Sequence, residues 1–241
     1  MLFHIGLENN IEGRSLAWVL GHPGCFAYGE NGERALAAVP KAIREYIDWI
    51  DMHASQSWLK PDLIETQLDD VWDVYAIDEN YQPVETGDDE VNAWFRRDWM
   101  PLTQDEIDRG LALLSWSRQE LLQTVSGLSQ QKLAERYPGE RWNIAGILRH
   151  VGGAEWWYLD RLDLAQPREQ VPEDPFLRLT QVRARLEQVL PGLAGVKRVV
   201  GVDGEFWSPR KLLRRAVWHE RDHTNHILNL SKQQPGASSA V

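Results

Sequence analysis

Residues 218–226 read Trp-His-Glu-Arg-Asp-His-Thr-Asn-His and hold three of the seven histidines of the chain. The segment that contains them starts like a helix, because Ser208 suits the N-cap and Pro209 suits the first helical position. Helical geometry then places His219 and His223 one turn apart on the same face. Two imidazoles at this spacing can hold one first-row metal ion, so the stretch predicts a metal-binding helix.

The composition excludes some classes of protein. The 241 residues are 43% hydrophobic and carry a net charge of −10, which argues against nucleic acid as the main partner because phosphate binding relies on clustered Lys and Arg. The single cysteine, Cys25, excludes an intrachain disulfide and favours a reducing compartment. We see neither a secretory signal nor an apolar stretch of about 20 residues, and therefore expect a cytoplasmic protein without a membrane partner.

The first 102 residues predict a small antiparallel sheet with one helix, which we assign to a domain at 1–102. The helix is expected at about 33–53, where apolar residues recur every three or four positions. Five strands are predicted, at 2–8, 15–20, 25–28, 71–77 and 91–95; residues 71–77 alternate, and a turn at 22–24 precedes the third strand.

The remaining sequence predicts helices. The first begins at Thr103, which forms a capping box with Glu106, and the others are expected at about 143–164, 174–190 and 208–230. Four amphipathic helices predict a four-helix bundle at 103–231, followed by a disordered tail at 232–241. The fold class expected for the whole chain is therefore an α+β chain of two domains.

Six polar side chains fall on or beside the apolar faces of these helices, where they would project into the bundle. They are Arg118, His150, Glu155, His219, Glu220 and His223.

The charged members of this set allow two interpretations, because unpaired charges are costly to bury. In one, Arg118 pairs with one or both of the carboxylates of Glu155 and Glu220 in a structural network. In the other, these three residues are catalytic: Arg118 anchors an anionic group, and Glu220 or Glu155 orients a ligand or moves a proton. The sequence leaves both interpretations open.

The histidines also allow two interpretations. His219 and His223 alone could be surface residues, but His150 on a neighbouring helix offers a third imidazole and favours a metal site. We expect His226 to lie outside the ligand set, since three protein ligands suffice for an open site.

Residues 219–223 also match the HExxH pattern of zinc proteases. We reject a protease because no acidic residue follows Asp222 that could be the third ligand, and the extended Gly-and-His pattern is absent.

Residues 103–231 resemble the DinB-like four-helix metalloproteins. The resemblance rests on Trp142-Asn143-Ile144 with His150, Glu155 and Tyr158, and on residues 207–211 with the HxxxH pair. It implies that His150, His219 and His223 bind a divalent metal, with positions left open for water or substrate. Some members of that family are thiol-dependent transferases or isomerases that use bacillithiol, mycothiol or glutathione, and others resemble hydrolases.

Residues 2–53 resemble the HicB-like antitoxin fold, through residues 22–30 and the helix that follows. HicB proteins usually append a DNA-binding domain, whereas a metal bundle follows here. We therefore interpret the first domain as a binding or dimerisation module. Cys25 is expected to be a small semi-buried residue after a turn rather than a reactive thiol.

Three functions follow from these patterns. The leading one is an enzyme that acts on a small-molecule substrate, a metal-dependent hydrolase or thiol-dependent transferase with Zn²⁺ or Ni²⁺ and possible use of a low-molecular-weight thiol. The second is a non-catalytic, metal-stabilised module whose HicB-like part binds a protein. The third, a toxin–antitoxin regulator, would need a basic DNA-reading element that the sequence lacks. A homodimer is compatible with this Trp-rich chain.

Overall fold

A computed structural model describes residues 1–87 and 89–232. The chain divides into two units. The first comprises Met1–Leu102 and Gly195–Arg214, and the second comprises Thr103–Ala194 and the chain from Arg215 onward. The domain boundaries predicted from the sequence assign residues 195–214 to the second domain, at 103–231. The predicted disordered tail lies, from residue 233 on, outside the described residues.

The first unit contains a four-stranded sheet with one helix, which confirms the predicted N-terminal sheet and helix. The sheet has the order β3-β2-β1-β4, and helix α1 spans Gly32–His53 and is capped by Asn31, whose side chain accepts a hydrogen bond from Arg34 N. The strands are β1 (Leu2–Ile11), β2 (Arg14–Leu20), β3 (Phe26–Gly29) and β4 (Glu65–Asp73).

The sheet is mixed, and the prediction of an antiparallel sheet is wrong in this respect. β1 pairs antiparallel with β2 but parallel with β4. The reason is the connection, because α1 lies between β3 and β4 in the chain, and a helical crossover returns the next strand in the parallel direction.

The prediction of a strand at 91–95 is also largely wrong. The strand there, β7, is Asp89–Val91, and it belongs to a three-stranded sheet with β5 (Tyr75–Ile77) and β6 (Pro83–Val84). After Val91, backbone donors bind side chains instead of a neighbouring strand: Asn92 N donates to Glu205 and Ala93 N to the buried Glu8.

A hairpin that the sequence patterns did not predict completes the first unit. It pairs β8 (Val200–Val202) with β9 (Glu205–Trp207). Its turn residues Asp203 and Gly204 have φ of 48° and 77°, as the Asp-Gly type I′ turn requires.

The second unit contains several helices, as predicted. α2 (Gln104–Val125) starts with the capping box of Thr103 and Glu106. The others are α3 (Gln130–Ala134), α4 (Ile144–Asp160), α5 (Pro175–Val189) and α6 (Pro209–Lys232), of which α6 begins in the first unit.

The predicted end of the second long helix at 164 is too late, because α4 ends at Asp160. Asp163 adopts a φ of +51°, and Leu164 N donates back to Leu159 O at 3.0 Å. A left-handed residue that closes the last turn in this way terminates a helix.

The apolar core of the second unit joins residues of α2, α3, α4, α5 and α6 and of the segment between α3 and α4. Its buried members are Leu121, Val125, Leu133, Tyr137, Ile144, Ile147, Leu148, Val151, Leu179, Ile227 and Leu230. Among the described residues, no helix is both long and apolar enough to cross a membrane.

Candidate metal centre

Three histidines converge inside the second unit. His150 lies on α4, while His219 and His223 lie on α6, four residues and therefore about one turn apart. His219 Nε2 is 3.0 Å from His150 Nε2 and 3.1 Å from His223 Nε2. The structure thus brings together the three residues that the sequence proposed as metal ligands.

The spacing of these nitrogens fits one metal ion. Zinc–nitrogen bonds of about 2.0–2.1 Å in a tetrahedral site place two ligand nitrogens roughly 3.3 Å apart. The observed separations are only slightly shorter. Two of the three nitrogen pairs thus have nearly the spacing of a tetrahedral site, and one nitrogen from each imidazole lies within 4.8 Å of the other two.

The protonation of the cluster also suits metal binding. Burial, followed by His223, His150 and Arg215, holds the pKa of His219 well below its usual value. Burial, His150 and His226 lower the pKa of His223 to about 3. These two imidazoles are therefore neutral at pH 7, and a neutral imidazole is the form that binds a metal.

Aromatic rings surround the cluster. Trp142 stacks on His150, with ring centroids 4.5 Å apart and an angle of 26° between the planes, and Tyr158 meets His219 edge-on at 6.1 Å. The stack requires a glycine nearby, because a Cβ at Gly146 would lie 2.9 Å from Trp142 Cβ. His219 is buried among these rings, while His150 and His223 are half-buried.

The inward charges form a separate, buried network beside the histidines. Arg118 Nε donates to Glu220 Oε1 at 2.5 Å, and its Nη2 donates to Glu155 Oε2 at 3.1 Å. Arg183 donates to both carboxylates, at 2.7–2.9 Å, and Ser117 Oγ donates to Glu220 at 2.5 Å. Two guanidinium groups therefore face two carboxylates, and the network carries no net charge.

The network is closed by main-chain contacts. Arg118 also donates to Leu179 O, and Arg183 to Leu114 O. Burial alone would raise the pKa of Glu220, but Arg183 and Arg118 outweigh it and the net pKa is lowered. Because the guanidinium groups are occupied by protein atoms, the contacts favour a structural network over an anion anchor. The catalytic roles of Arg118, Glu155 and Glu220 stay predictions.

The sequence patterns missed Arg183, although a signal was present. It lies four residues after Leu179 and three before Leu186, which are both buried. It therefore occupies the apolar face of α5, as Arg118 does on α2.

His226 lies outside the cluster of three. Its ring is centred 6.0 Å from that of His223, and its Nε2 donates to Glu140 Oε2 at 2.9 Å. The sequence patterns did not single out Glu140, which lies between α3 and α4. In the first unit, Cys25 is buried, with its Sγ 3.8 Å from Ala42 O.

Comparison with known proteins gives a family match over part of the chain. Residues 113–227 match the family model of the DinB superfamily. The match covers just under half of the chain and includes the three histidines and both arginine–glutamate pairs. No curated protein matches the chain. The match supports the DinB-like resemblance, while the HicB-like resemblance of the first residues stays a prediction.

Proposed function

We propose that His150, His219 and His223 bind one divalent metal ion within a four-helix bundle of the DinB type. The observation that carries the proposal is the approach of three Nε2 atoms to 3.0–3.1 Å along two edges of one triangle. The neutral state of His219 and His223 at pH 7 and the family match at 113–227 support it independently. Zn²⁺ and Ni²⁺ suit imidazole ligands.

We further propose that the protein is a metal-dependent enzyme, either a hydrolase or a transferase that uses a low-molecular-weight thiol. A divalent ion held by three imidazoles keeps a position open and lowers the pKa of a bound water or thiol. Trp142 and Tyr158 would exclude bulk water from that position, since both rings contact the cluster. A small-molecule substrate is part of this proposal.

The charged network enters the proposal as a positioning device. Glu155 lies five residues after His150 on α4, and Glu220 directly follows His219 on α6. Pairing both carboxylates with the same two arginines fixes α4 and α6 relative to each other, and hence the ligands that they carry. A general-base role for Glu220 or Glu155 has less support, because each carboxylate accepts hydrogen bonds at both oxygens.

A second candidate function is a non-catalytic, metal-stabilised interaction module. The ion pairs of Glu220 and Glu155 favour it, because both candidate bases are engaged in them. This function requires a closed coordination shell, with His226 or a carboxylate as the fourth ligand. The first unit would then bind a protein partner through its HicB-like part.

The metal content of protein purified without a histidine tag tests the proposal. We expect about one metal ion per chain in the wild type and little in His219→Ala. His53→Ala, which removes an imidazole from α1, should retain the wild-type content. No metal in the wild type after reconstitution with Zn²⁺ or Ni²⁺ would overturn the proposal.

The visible spectrum of Co²⁺-substituted protein then separates the two functions. If azide or a small thiol changes the spectrum, the ion has an exchangeable position, as the enzyme requires. An unchanged spectrum indicates a closed shell and favours the interaction module.

A further inference from the structure

One edge of the four-stranded sheet is accessible along its whole length. That edge is β4, which pairs with β1 and is the last strand on its side of the sheet. The strand is nine residues long, and each of its residues is exposed or half-buried. A strand edge of this kind presents backbone N–H and C=O groups with which another extended chain can pair.

The register of β4 shows which backbone groups face away from β1 in its second half. Val74 N donates to Asn9 O, and Asn9 is the register partner of Asp73. Backbone groups of successive strand residues point in opposite directions. Trp72 therefore faces β1, as Val74 does, whereas the N–H and C=O groups of Val71 and Asp73 face outward.

The first half of β4 offers a second pair of outward residues. Glu65 N donates to Met1 O, so the same alternation turns the backbone groups of Thr66 and Leu68 outward. A bulge separates the two halves, and the carbonyl of Asp69 there accepts a hydrogen bond from the side chain of Arg96. The outward groups thus lie in two pairs, one on each side of the bulge.

Apolar side chains also reach this edge. Leu68 and Val71 are the register partners of Ile5 and Leu7, which are buried. Leu68 and Val71 are themselves 44% and 55% exposed. The apolar face of the sheet therefore continues into solvent at β4, and a strand added beside it would cover these side chains if it carried apolar residues at alternate positions.

The net charge of the chain is concentrated around the same edge. Residues 61–92 contain 11 of the 36 acidic residues and none of the 26 basic ones, whereas the rest of the chain holds 25 acidic and 26 basic residues. Four of these acidic residues lie in β4, where Arg96 pairs with Asp70. Two more lie in β7, which a hydrogen bond from Trp72 Nε1 to Val91 O at 3.1 Å joins to β4.

This charge selects the kind of partner that the edge fits. A second copy of the chain would place two acidic edge strands side by side, and repulsion between like charges opposes that pairing. A basic strand instead gains ion pairs with its neighbours and is attracted to the edge before contact.

We propose that β4 is a docking edge for an extended segment of another protein in which Lys or Arg alternates with apolar residues. The segment adds a fifth strand to the sheet and bonds to the outward backbone groups of β4. Its apolar side chains cover Leu68 and Val71, and its basic side chains lie beside the acidic residues of β4 and β7. The inference goes beyond the proposed metal chemistry and does not depend on it.

A synthetic peptide tests the proposal with the full chain. The probe has the length of β4, with Lys alternating with Val or Thr, and the fluorescence anisotropy of a labelled copy gives its affinity. We expect binding that weakens as salt is added, because the attraction is screened. Replacing each Thr by Pro keeps the charge but removes backbone donors, and it should weaken binding at least about tenfold. A peptide with Glu in place of Lys should not bind.

Hydrogen–deuterium exchange then locates the bound peptide. We expect slower exchange at the outward amides of β4, such as that of Val71, and unchanged exchange in α2 and α5. Binding without protection of β4 would show attraction to the acidic surface alone and would overturn the edge pairing. Absence of binding would overturn the proposal, and the charges would then serve only to keep copies of the edge apart.

Two double variants carry the same change of charge. Leu68→Lys with Val71→Lys places two like charges against the peptide and should weaken its binding about tenfold or more. Leu122→Lys with Leu177→Lys is the matched control, because it alters two exposed leucines of α2 and α5 and should leave β4 unaffected. Equal affinities in the two double variants would contradict the proposal.

A proline variant tests the backbone contact without a change of charge. Val71→Pro removes one outward N–H, which an edge strand tolerates because that group faces solvent, and it should also weaken binding. Circular dichroism checks that each variant is folded. The metal content of all variants should equal that of the wild type, so loss of peptide binding and loss of metal are separate outcomes that overturn this inference and the proposed function independently.

Discussion

Arg183 binds Glu155 through two parallel hydrogen bonds, from Nε to Oε1 at 2.8 Å and from Nη2 to Oε2 at 2.7 Å. The first residue lies on α5 and the second on α4, and both are more than nine-tenths buried. This two-pronged pairing is the strongest geometry available to an arginine and a carboxylate. The pair makes the network beside the histidines a determinant of stability. Its contribution to the free energy of unfolding depends on both partners being present.

We therefore predict a large loss of stability when one partner is removed. Arg183→Met should lower the free energy of unfolding by about 3–5 kcal/mol, because Glu155 and Glu220 lose a buried countercharge. Urea denaturation followed by circular dichroism measures it. Arg109→Met, which removes an exposed arginine from α2, should change stability by less than about 0.5 kcal/mol. A similar small loss in both variants would contradict the prediction.

Two glycines of α4 should respond oppositely to alanine. A Cβ at Gly146 would lie 2.9 Å from Trp142 Cβ and 3.1 Å from Asn143 Oδ1, whereas a Cβ at Gly153 would meet only Arg178 Nη1, at 3.7 Å. Gly146→Ala should lower the free energy of unfolding by about 1–3 kcal/mol and shift the Trp fluorescence. Gly153→Ala should raise the free energy of unfolding by about 0.5–1 kcal/mol, because alanine has the higher helix propensity. Stabilisation by both would show that the Trp142 stack adapts freely.

The metal-free protein should lose stability on mild acidification. The folded-state pKa of His223 is about 3 because of burial, His150 and His226, while an unfolded histidine titrates near 6.5. The unfolded chain therefore binds more protons between these values. The stabilisation is fully present above about pH 6.5 and declines as the pH falls toward 3, by up to about 1.4 kcal/mol per pH unit.

Urea denaturation between pH 7 and pH 4 checks this slope. His223→Gln should show a shallower decline than the wild type, since its side chain does not titrate. Asn225→Gln, an exposed change on the same helix, should keep the wild-type slope. Identical slopes in wild type and His223→Gln would mean that His223 is not held neutral.

Removal of the metal should lower the melting temperature. At a free Zn²⁺ concentration 100 times the Kd, binding adds about 2.7 kcal/mol of stability, so EDTA should shift the melting curve of the loaded wild type downward. His150→Ala and His219→Ala should show no such shift. A shift that persists in either variant would place the bound ion elsewhere.

The sequence predicted the parts of the site that depend on local geometry. Spacing of four residues suffices to align His219 and His223, because a helix has 3.6 residues per turn. Whether His150 lies close to these two histidines depends on how α4 packs against α6. Only the inward position of His150 and the family resemblance indicated that it does. Arg183 was missed because the signals at the two ends of α5, such as the N-cap Asp174, predict the helix but not which of its residues face inward.

The errors in the first unit have a different origin. Residues 92–95 are mostly apolar and include two aromatic residues, as in a strand. Two backbone donors there nevertheless bind Glu205 and Glu8, which are distant in sequence. No local pattern reports such contacts. The hairpin at residues 200–207 did carry a local signal, the Asp203-Gly204 pair, but strands of three residues are too short for alternation to be recognised.

His219 and its neighbour Glu220 belong to two different groups of side chains. One side chain faces the imidazole cluster and the other the buried arginines, so a relative could lose the first without disturbing the second. A variant that kept Arg118, Glu155, Arg183 and Glu220 but replaced the histidines would retain every ion pair of this network. The four charged residues therefore join the helices of the second unit through contacts that do not involve the histidines.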